Sequence, residues 1–444
     1  MRIKKISVKN LFGIFNYEIP LNLNEHITII HGPNGFGKTT LLRLLNAFFK
    51  SFYSEIRHIP FSEIMVDFDN NTSLCLKKTV KEHKKETNNM LLWEHTLKNG
   101  KKESHLINPL KPEDFEFPFH LLRKPGIDRI NHENWLDMAN QKKLSFEEVL
   151  DRCKDKIPVN IPEVKEPAWL KKIKNSIELK FIETQRLLNF SHLNRNYEEK
   201  PLMIPAVITY SRELANAIQD KLGEYAALSQ SMDRDFPMRL VTGDGVPELT
   251  IDELKKELKE LEEKRSRLMD TGLLDKEKEI DFKLLQKIDK NNRNVLSVYV
   301  NDVNKKLSVF DELNNKINLF VNIINNKFLY KKMSVNKKEG FVFKSDSDKF
   351  LSPGELSSGE QHELVLFYEL LFKVNPDSLI LIDEPELSLH IVWQQQFIKD
   401  LLEISKLVGF DVLIATHSPQ IIHDRWDLTV ELEADRSETI SYGK

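Results

Sequence analysis

Ile27-Thr28-Ile29-Ile30 leads into Gly32-Pro33-Asn34-Gly35-Phe36-Gly37-Lys38-Thr39, and Leu41-Leu42-Arg43-Leu44-Leu45 follows. Four strand formers thus precede G-x-x-x-x-G-K-[ST], and a run of helical character succeeds it. The order strand, phosphate-cradling loop, helix is the context this motif requires. Gly32, Gly35 and Gly37 let the backbone approach an anion, while loop N–H groups and the helix N-terminus offset negative charge. Lys38 is placed to reach the β- and γ-phosphates of a nucleotide, and Thr39 offers a hydroxyl to Mg²⁺. Pro33, Asn34, Phe36 and Thr40 complete the candidate nucleotide-binding set.

Working outward, the partner chemistry lies more than 300 residues away. Leu379-Ile380-Leu381-Ile382 reads as a buried parallel strand and ends in Asp383-Glu384-Pro385. Asp383 can hold the shell of a Mg²⁺ ion. Glu384 points the other way, free to polarise an attacking water as general base. A second apolar strand, Val412-Leu413-Ile414-Ala415-Thr416, ends in His417, a candidate γ-phosphate contact. Upstream, Leu356-Ser357-Ser358-Gly359-Glu360-Gln361 opens a helix that can aim N–H groups and Ser357 at a phosphate. Read alone, it is an N-cap turn with a capping glutamate. The strand over 177–182 ends in Glu183-Thr184-Gln185-Arg186, where the neutral amide of Gln185 can bind Mg²⁺ or the attacking water. A solvent-facing loop glutamine is the alternative. His362 and His423 read as structural or surface residues.

The 444 residues carry a net charge of −3, 30% charged and 40% hydrophobic, which gives no global electrostatic reason to bind nucleic acid. Cys75 and Cys153 make neither a metal pattern nor a disulfide framework, which suits a reducing compartment. Met1-Arg2-Ile3-Lys4-Lys5 leads into an alternating strand, unlike a signal peptide, and no run of ~18 apolar residues suggests a membrane span. The expectation is a soluble cytoplasmic protein with no membrane partner.

Strands are expected within 1–30 and as a hairpin of Glu63–Phe68 with Ser73–Leu76 across Asp69-Asn70-Asn71. Residues 80–175 are polar and hold no readable motif. From 210 to 335 the chain is helical. Ile251, Leu254, Leu258, Leu261, Arg265 and Leu268 form a heptad seam, broken by Asp270-Thr271-Gly272. A second pattern runs through Val303, Leu307, Phe310, Ile317, Phe320 and Ile324. These predict a short antiparallel coiled coil, the first helix roughly 27 Å long at 1.5 Å per residue, or else a packed helical subdomain. The expected division is a first head lobe over 1–209, a helical insertion over 210–335 and a second lobe over 336–444.

In this order the motifs resemble ABC-type ATPases of the group containing SMC, RecF and the overcoming-lysogenisation-defect (OLD) family, over roughly 1–50, 175–190 and 345–425. Glu384-Pro385-Glu386-x-x-Leu389-His390 and Ala415-Thr416-His417-Ser418-Pro419-Gln420 look like the OLD branch. The resemblance implies an α/β P-loop head with a mixed sheet flanked by helices, and ATP and Mg²⁺ as cofactors. Gln185 becomes its Q-loop, Leu356 to Gln361 its signature, acting on a partner subunit's ATP, and Ser388, Leu389 and His390 its D-loop. Ser358 and Glu360 depart from the usual L-S-G-G-Q, and Ile391 stands where that branch often has proline. A head-to-head homodimer or higher homo-oligomer follows. Only 27 residues succeed His417, too few for the nuclease domain that OLD proteins carry. The chain therefore looks like stand-alone ATPase subunits of anti-phage systems such as PARIS and Septu, partnered by a separately encoded effector, a nuclease or toxin. The alternative is a DNA-repair or DNA-clamping ATPase. DNA contact would use basic runs such as Lys77-Lys78 to Lys84-Lys85 and Lys331-Lys332 to Lys337-Lys338. A transport ATPase is disfavoured by the long insertion. Phe12 and Phe15 are undistinguished candidates for the adenine contact.

Overall fold

A computed structural model describes residues 1–83, 86–109, 127–130, 134–137, 142–153, 165–182, 188–190, 203–242, 249–275 and 293–433. They fall into two compact units, Met1–Thr184 with Val374–Lys444, and Gln185–Lys373.

The first unit begins with β1 (Ile3–Leu11) and β2 (Phe15–Pro20), where Phe15, Tyr17 and Ile19 alternate inward. β3 (Ile27–His31) feeds the glycine loop and α1 (Lys38–Lys50), whose Leu41, Leu42, Leu44, Leu45 and Phe48 are buried. Then come α2 (Tyr53–His58), β4 (Glu63–Phe68), β5 (Ser73–His83), β6 (Glu86–Thr96) and β7 (Lys102–Ile107). The order β2-β1-β4-β5-β6-β7 makes an antiparallel sheet, and the expected β4–β5 hairpin pairs Asp67 with Ser73. β6 and β7 lie where the sequence was unreadable. The inward set of β6 is Leu91, Trp93 and His95, while Leu92 faces the other way, so hydrophobic alternation is blurred. β8 (Ile127–Arg129), β9 (Asn134–Asp137) and β10 (Lys142–Ser145) form a small sheet followed by α3 (Phe146–Cys153). α4 (Ala168–Asn175) then brings Lys174 into a buried cluster with Glu166, 2.9 Å away, and over the Trp93 ring at 4.0 Å. β11 (Leu179–Ile182) closes this half.

The second unit opens with the β12 (Leu188–Phe190) and β13 (Met203–Pro205) hairpin and four helices, α5 (Ala206–Thr242), α6 (Ile251–Asp270), α7 (Arg293–Ser308) and α8 (Asp311–Lys327). The α6 seam is buried at Leu254, Leu258, Leu261 and Leu268, and a Thr250–Glu253 capping box starts it. The expected antiparallel hairpin is corrected here. Leu249 contacts Ser297, Glu257 contacts Asn304 and Lys264 pairs with Asp311 at 2.7 Å, so α6 and α7 run parallel. The antiparallel partner of α7 is α5: Tyr225 meets Phe310, Asp233 pairs with Lys306 at 2.6 Å and Arg239 pairs with Asp302. Thr271-Gly272 is a helix stop, with Leu273 N–H on Leu268 C=O and Gly272 N–H on Met269 C=O around a left-handed glycine (φ 74°). The second apolar pattern likewise spans two helices, broken at Phe310.

β14 (Lys331–Asn336), β15 (Gly340–Ser345) and β16 (Phe350–Leu351) follow as an antiparallel sheet, then α9 (Ser358–Phe372). The compact-unit boundaries at 184/185 and 373/374 differ from the expected 209/210 and 335/336. The reason is side-chain pairing: α9 joins α5 through Tyr210–Glu369 at 2.6 Å and α8 through the buried Lys327–Glu363 pair at 2.5 Å.

Returning to the first unit, β17 (Leu379–Asp383), α10 (Ile391–Val408), β18 (Asp411–Thr416), α11 (Pro419–Ile422) and β19 (Thr429–Glu431) complete a parallel sheet of order β11-β17-β18-β3-β19. Every residue of β17 and β18 is buried, as covered parallel strands require. The fold is α/β, with parallel and antiparallel strands in separate sheets. Arg2, just before β1, grips Asp411 at the start of β18 through Nε at 2.8 Å and Nη2 at 2.5 Å, across 409 residues. No helix among the described residues is long and apolar enough to cross a membrane.

Candidate nucleotide site

Register brings the motifs of the first unit together. Asp383 lies opposite Ala415, which lies opposite Ile30, so β17, β18 and β3 end in one row. Loops leaving the carboxyl ends of neighbouring parallel strands are where such sheets bind ligands. That row delivers the glycine loop, Glu384 and His417 to one edge.

Gly35 (φ 88°) and Gly37 (φ 77°) are left-handed, and a Cβ on Gly37 would stand 3.0 Å from Leu11 and Phe12 atoms. From beneath, the Tyr17 hydroxyl donates to the Phe36 carbonyl at 2.8 Å, and the Phe15 ring packs on Phe36. Phe15 is therefore buried packing rather than a free adenine platform; Phe12, 42% exposed, is the open ring beside the loop. Lys38 is buried and its Nζ donates to the carbonyls of Gly32 (2.7 Å) and Pro33 (3.1 Å).

Thr39 Oγ1 donates to Asp383 Oδ1 at 3.1 Å. Burial pushes the Asp383 carboxyl up to about 6, with Glu384 and Glu386 adding to the rise and the Thr39 hydrogen bond opposing it. A buried carboxylate next to a hydroxyl fits a hard cation that draws its other ligands from phosphate and water. Among the described residues no group of three or more acids, histidines or cysteines could hold a metal ion by itself.

Glu384 has φ 41° and ψ 60°, a left-handed conformation costly for a non-glycine residue and concentrated at functional sites. Its N–H donates to the Ala415 carbonyl at 2.8 Å. His417 Nδ1 is 3.1 Å from Glu386 Oε1 and 3.6 Å from Glu384 Oε1. Glu386, quoted in the sequence only as part of a motif, is thus in the constellation; its spacing two residues past Glu384 was the signal. Leu389 is buried, and His390 caps α10, its Nδ1 accepting from the Val392 N–H. Nothing is described of the Ser388 side chain, and Gln185 lies outside the described residues. A cavity of about 360 Å³ adjoins the loop, lined by His31, Gly32, Asn34, His417 and Trp426. His31 and Trp426 meet edge to face, a wall no sequence motif announced.

In the second unit, Ser357 caps α9 and forms the capping box with Glu360, whose carboxylate accepts from the Ser357 N–H and hydroxyl, both at 2.8 Å. Lys331 Nζ clasps the two Glu360 oxygens at 2.8 and 2.7 Å. Burial opposes ionisation of Glu360, but Lys331 and Ser357 outweigh it and hold the carboxyl below its usual range. Four lysines of the basic runs, Lys77, Lys78, Lys331 and Lys337, are engaged within the fold. Lys77 pairs with Glu94 and Lys337 with Asp275, both at 2.6 Å, and Lys78 donates to the Arg57 and Ile59 carbonyls. Lys84 and Lys85 lie outside the described residues.

A family model described as an AAA ATPase domain matches residues 1–422. Over 84 residues the sequence is 38% identical to the retron Ec83 probable ATPase of Escherichia coli, a match covering 16% of this chain and 15% of that protein. Among solved structures, the Smc head domain with an extended coiled coil from Pyrococcus furiosus, bound to the C-terminal domain of ScpA, aligns with 98% of this chain and 94% of its own. The identity is 13% and the TM-score 0.32. The SMC head domain of Thermotoga maritima aligns over 95% and 91%, at 12% identity and TM-score 0.32.

Proposed function

The chain belongs to the AAA ATPase domain family, and from that premise we propose that it binds and hydrolyses ATP at the edge where β3, β17 and β18 end. The observation that carries this reading is the 3.1 Å contact between Thr39 and Asp383, which joins motifs 344 residues apart. Lys38 exchanges its two loop carbonyls for the β- and γ-phosphates, and loop N–H groups hold the remaining charge. Thr39 and Asp383, with the Gln185 amide, would hold Mg²⁺, which neutralises phosphate charge when bound. Glu384 takes the proton of the attacking water, and His417 faces the γ-phosphate.

The signature Leu356-Ser357-Ser358-Gly359-Glu360-Gln361 serves a second copy's nucleotide, so the working form is a head-to-head dimer with Ser388, Leu389 and His390 at its interface. The biological role we propose is that of a regulatory ATPase in an anti-phage system, governing a separately encoded effector. Its support is the 84-residue similarity to a retron probable ATPase.

Lys38→Ala is expected to lose nucleotide binding in an equilibrium titration. Glu384→Gln is expected to accumulate as an ATP-bound dimer on size-exclusion chromatography with Mg-ATP; a monomer under those conditions refutes the dimer. A tagged Glu384→Gln protein drawn from its native cells should carry a stoichiometric protein partner. Recovery of a homodimer with nuclease-sensitive DNA would refute the effector reading in favour of a DNA clamp.

A further inference from the structure

Glu386 is 9% exposed and sits on the turn after β17. Two donors from the end of β18 converge on its Oε1, the Thr416 hydroxyl at 2.7 Å and the His417 backbone N–H at 3.0 Å, and His417 Nδ1 lies 3.1 Å from the same oxygen. Its Oε2 is buried with no hydrogen-bond partner among the described residues. A carboxylate drawing two donors to one oxygen is committed to their geometry. It also decides a proton. A carboxylate oxygen at 3.1 Å repels a lone pair on Nδ1 of His417 and attracts a hydrogen there, which leaves Nε2 for any ligand. Glu384, 3.6 Å from the same Nδ1, is beyond hydrogen-bonding distance and does not compete.

We infer that Glu386 is a positioning residue that sets the tautomer and ring orientation of His417. Through Thr416 and the His417 amide it also fixes the backbone from which that ring projects. In consequence His417 reaches a γ-phosphate through Nε2 alone: neutral, it presents a lone pair there; as imidazolium, it presents an N–H. Other titratable groups around this corner are Glu384 at the end of β17, and His31 and Glu431, which line the same cavity as His417. The inference rests on the ATPase reading for its catalytic consequence, though not for the tautomer itself.

The test uses the full chain with Glu386→Gln, Glu386→Ala, His417→Ala and the Glu386→Ala/His417→Ala double variant. Losing an outer partner of a functional histidine is expected to lower kcat roughly 10- to 100-fold. KM should stay unchanged, and Glu386→Gln, whose carbonyl can accept the same donors, should recover part of the loss. The double variant should be no slower than His417→Ala, because both act through one ring. Losses that multiply, or a folded Glu386→Ala protein with wild-type kcat, overturn the inference. Nitrogen-15 NMR of the nucleotide-free protein, with His417→Ala supplying the assignment, should show a hydrogen on Nδ1 that Glu386→Ala removes. An unchanged tautomer overturns the inference whatever the kinetics. Wild-type protein without ATPase activity, but with the expected NMR change, instead sinks the ATPase reading and leaves the positioning role standing.

Discussion

Replacing Asp383 by asparagine should stabilise the nucleotide-free protein in EDTA while abolishing its response to Mg-ATP. The folded carboxyl is pushed up to about 6 from 3.8, which corresponds to a cost to the folded state of about 3 kcal/mol when ionised. Below pH 3.8 the group is neutral in both states and costs nothing. Between 3.8 and about 6 the unfolded chain gives up its proton while the folded one keeps it, so stability falls as pH rises; above about 6 the loss is complete. Asparagine is neutral throughout and can still accept from the Thr39 hydroxyl. A gain of about 3 kcal/mol in a unit of this size corresponds to roughly 6–12 °C in Tm. The assay is thermal unfolding of wild type and Asp383→Asn in EDTA, from about pH 4 to about pH 8. The variant should melt higher at the alkaline end and converge on wild type at the acid end. Adding Mg-ATP should then raise wild type alone. A variant that melts lower than wild type at the alkaline end, or a gain that persists unchanged at the acid end, refutes the argument.

Gly37→Ala forces a Cβ into φ 77° and to 3.0 Å from Leu11 and Phe12, and should cost about 1–2 kcal/mol in denaturant unfolding together with weaker nucleotide binding. Glu363→Ala removes the carboxylate 2.5 Å from the Lys327 ammonium, itself 1% exposed, and should destabilise the protein more than the joint Lys327→Met/Glu363→Leu exchange, in the same measurement. Cys75 is buried and its thiol is pushed up to about 12, chiefly by that burial. Iodoacetamide should therefore spare it in native protein at neutral pH and modify it after unfolding, as peptide mass spectrometry would record.

Local patterns made the candidate nucleotide site legible. A glycine loop between strand and helix, and an acidic pair ending an apolar run, each announce their chemistry within about eight residues, because backbone demands there admit few residue types. The capping alternative at Ser357 was legible for the same reason, and the structure contains that box. Glu386 was written in the sequence yet unmarked. Its significance is that it reaches Thr416 and His417 across 30 and 31 residues. β6 and β7 were hidden because one sheet face is not fully apolar and the inward set includes His95. The helical region misled because periodicity records which face a helix buries, without saying against what.

By itself, then, the sequence determined the loop, the acidic strand, the histidine strand and their order along the chain, since each is a local match between residue type and backbone geometry. Only the tertiary structure decided which partners those pieces take. Parallel register aligned Ile30, Ala415 and Asp383 into one edge. Side-chain pairing gave α7 to α5 in antiparallel fashion and to α6 in parallel. Such choices depend on surfaces far apart in the chain, whose complementarity exists only once both are folded and packed.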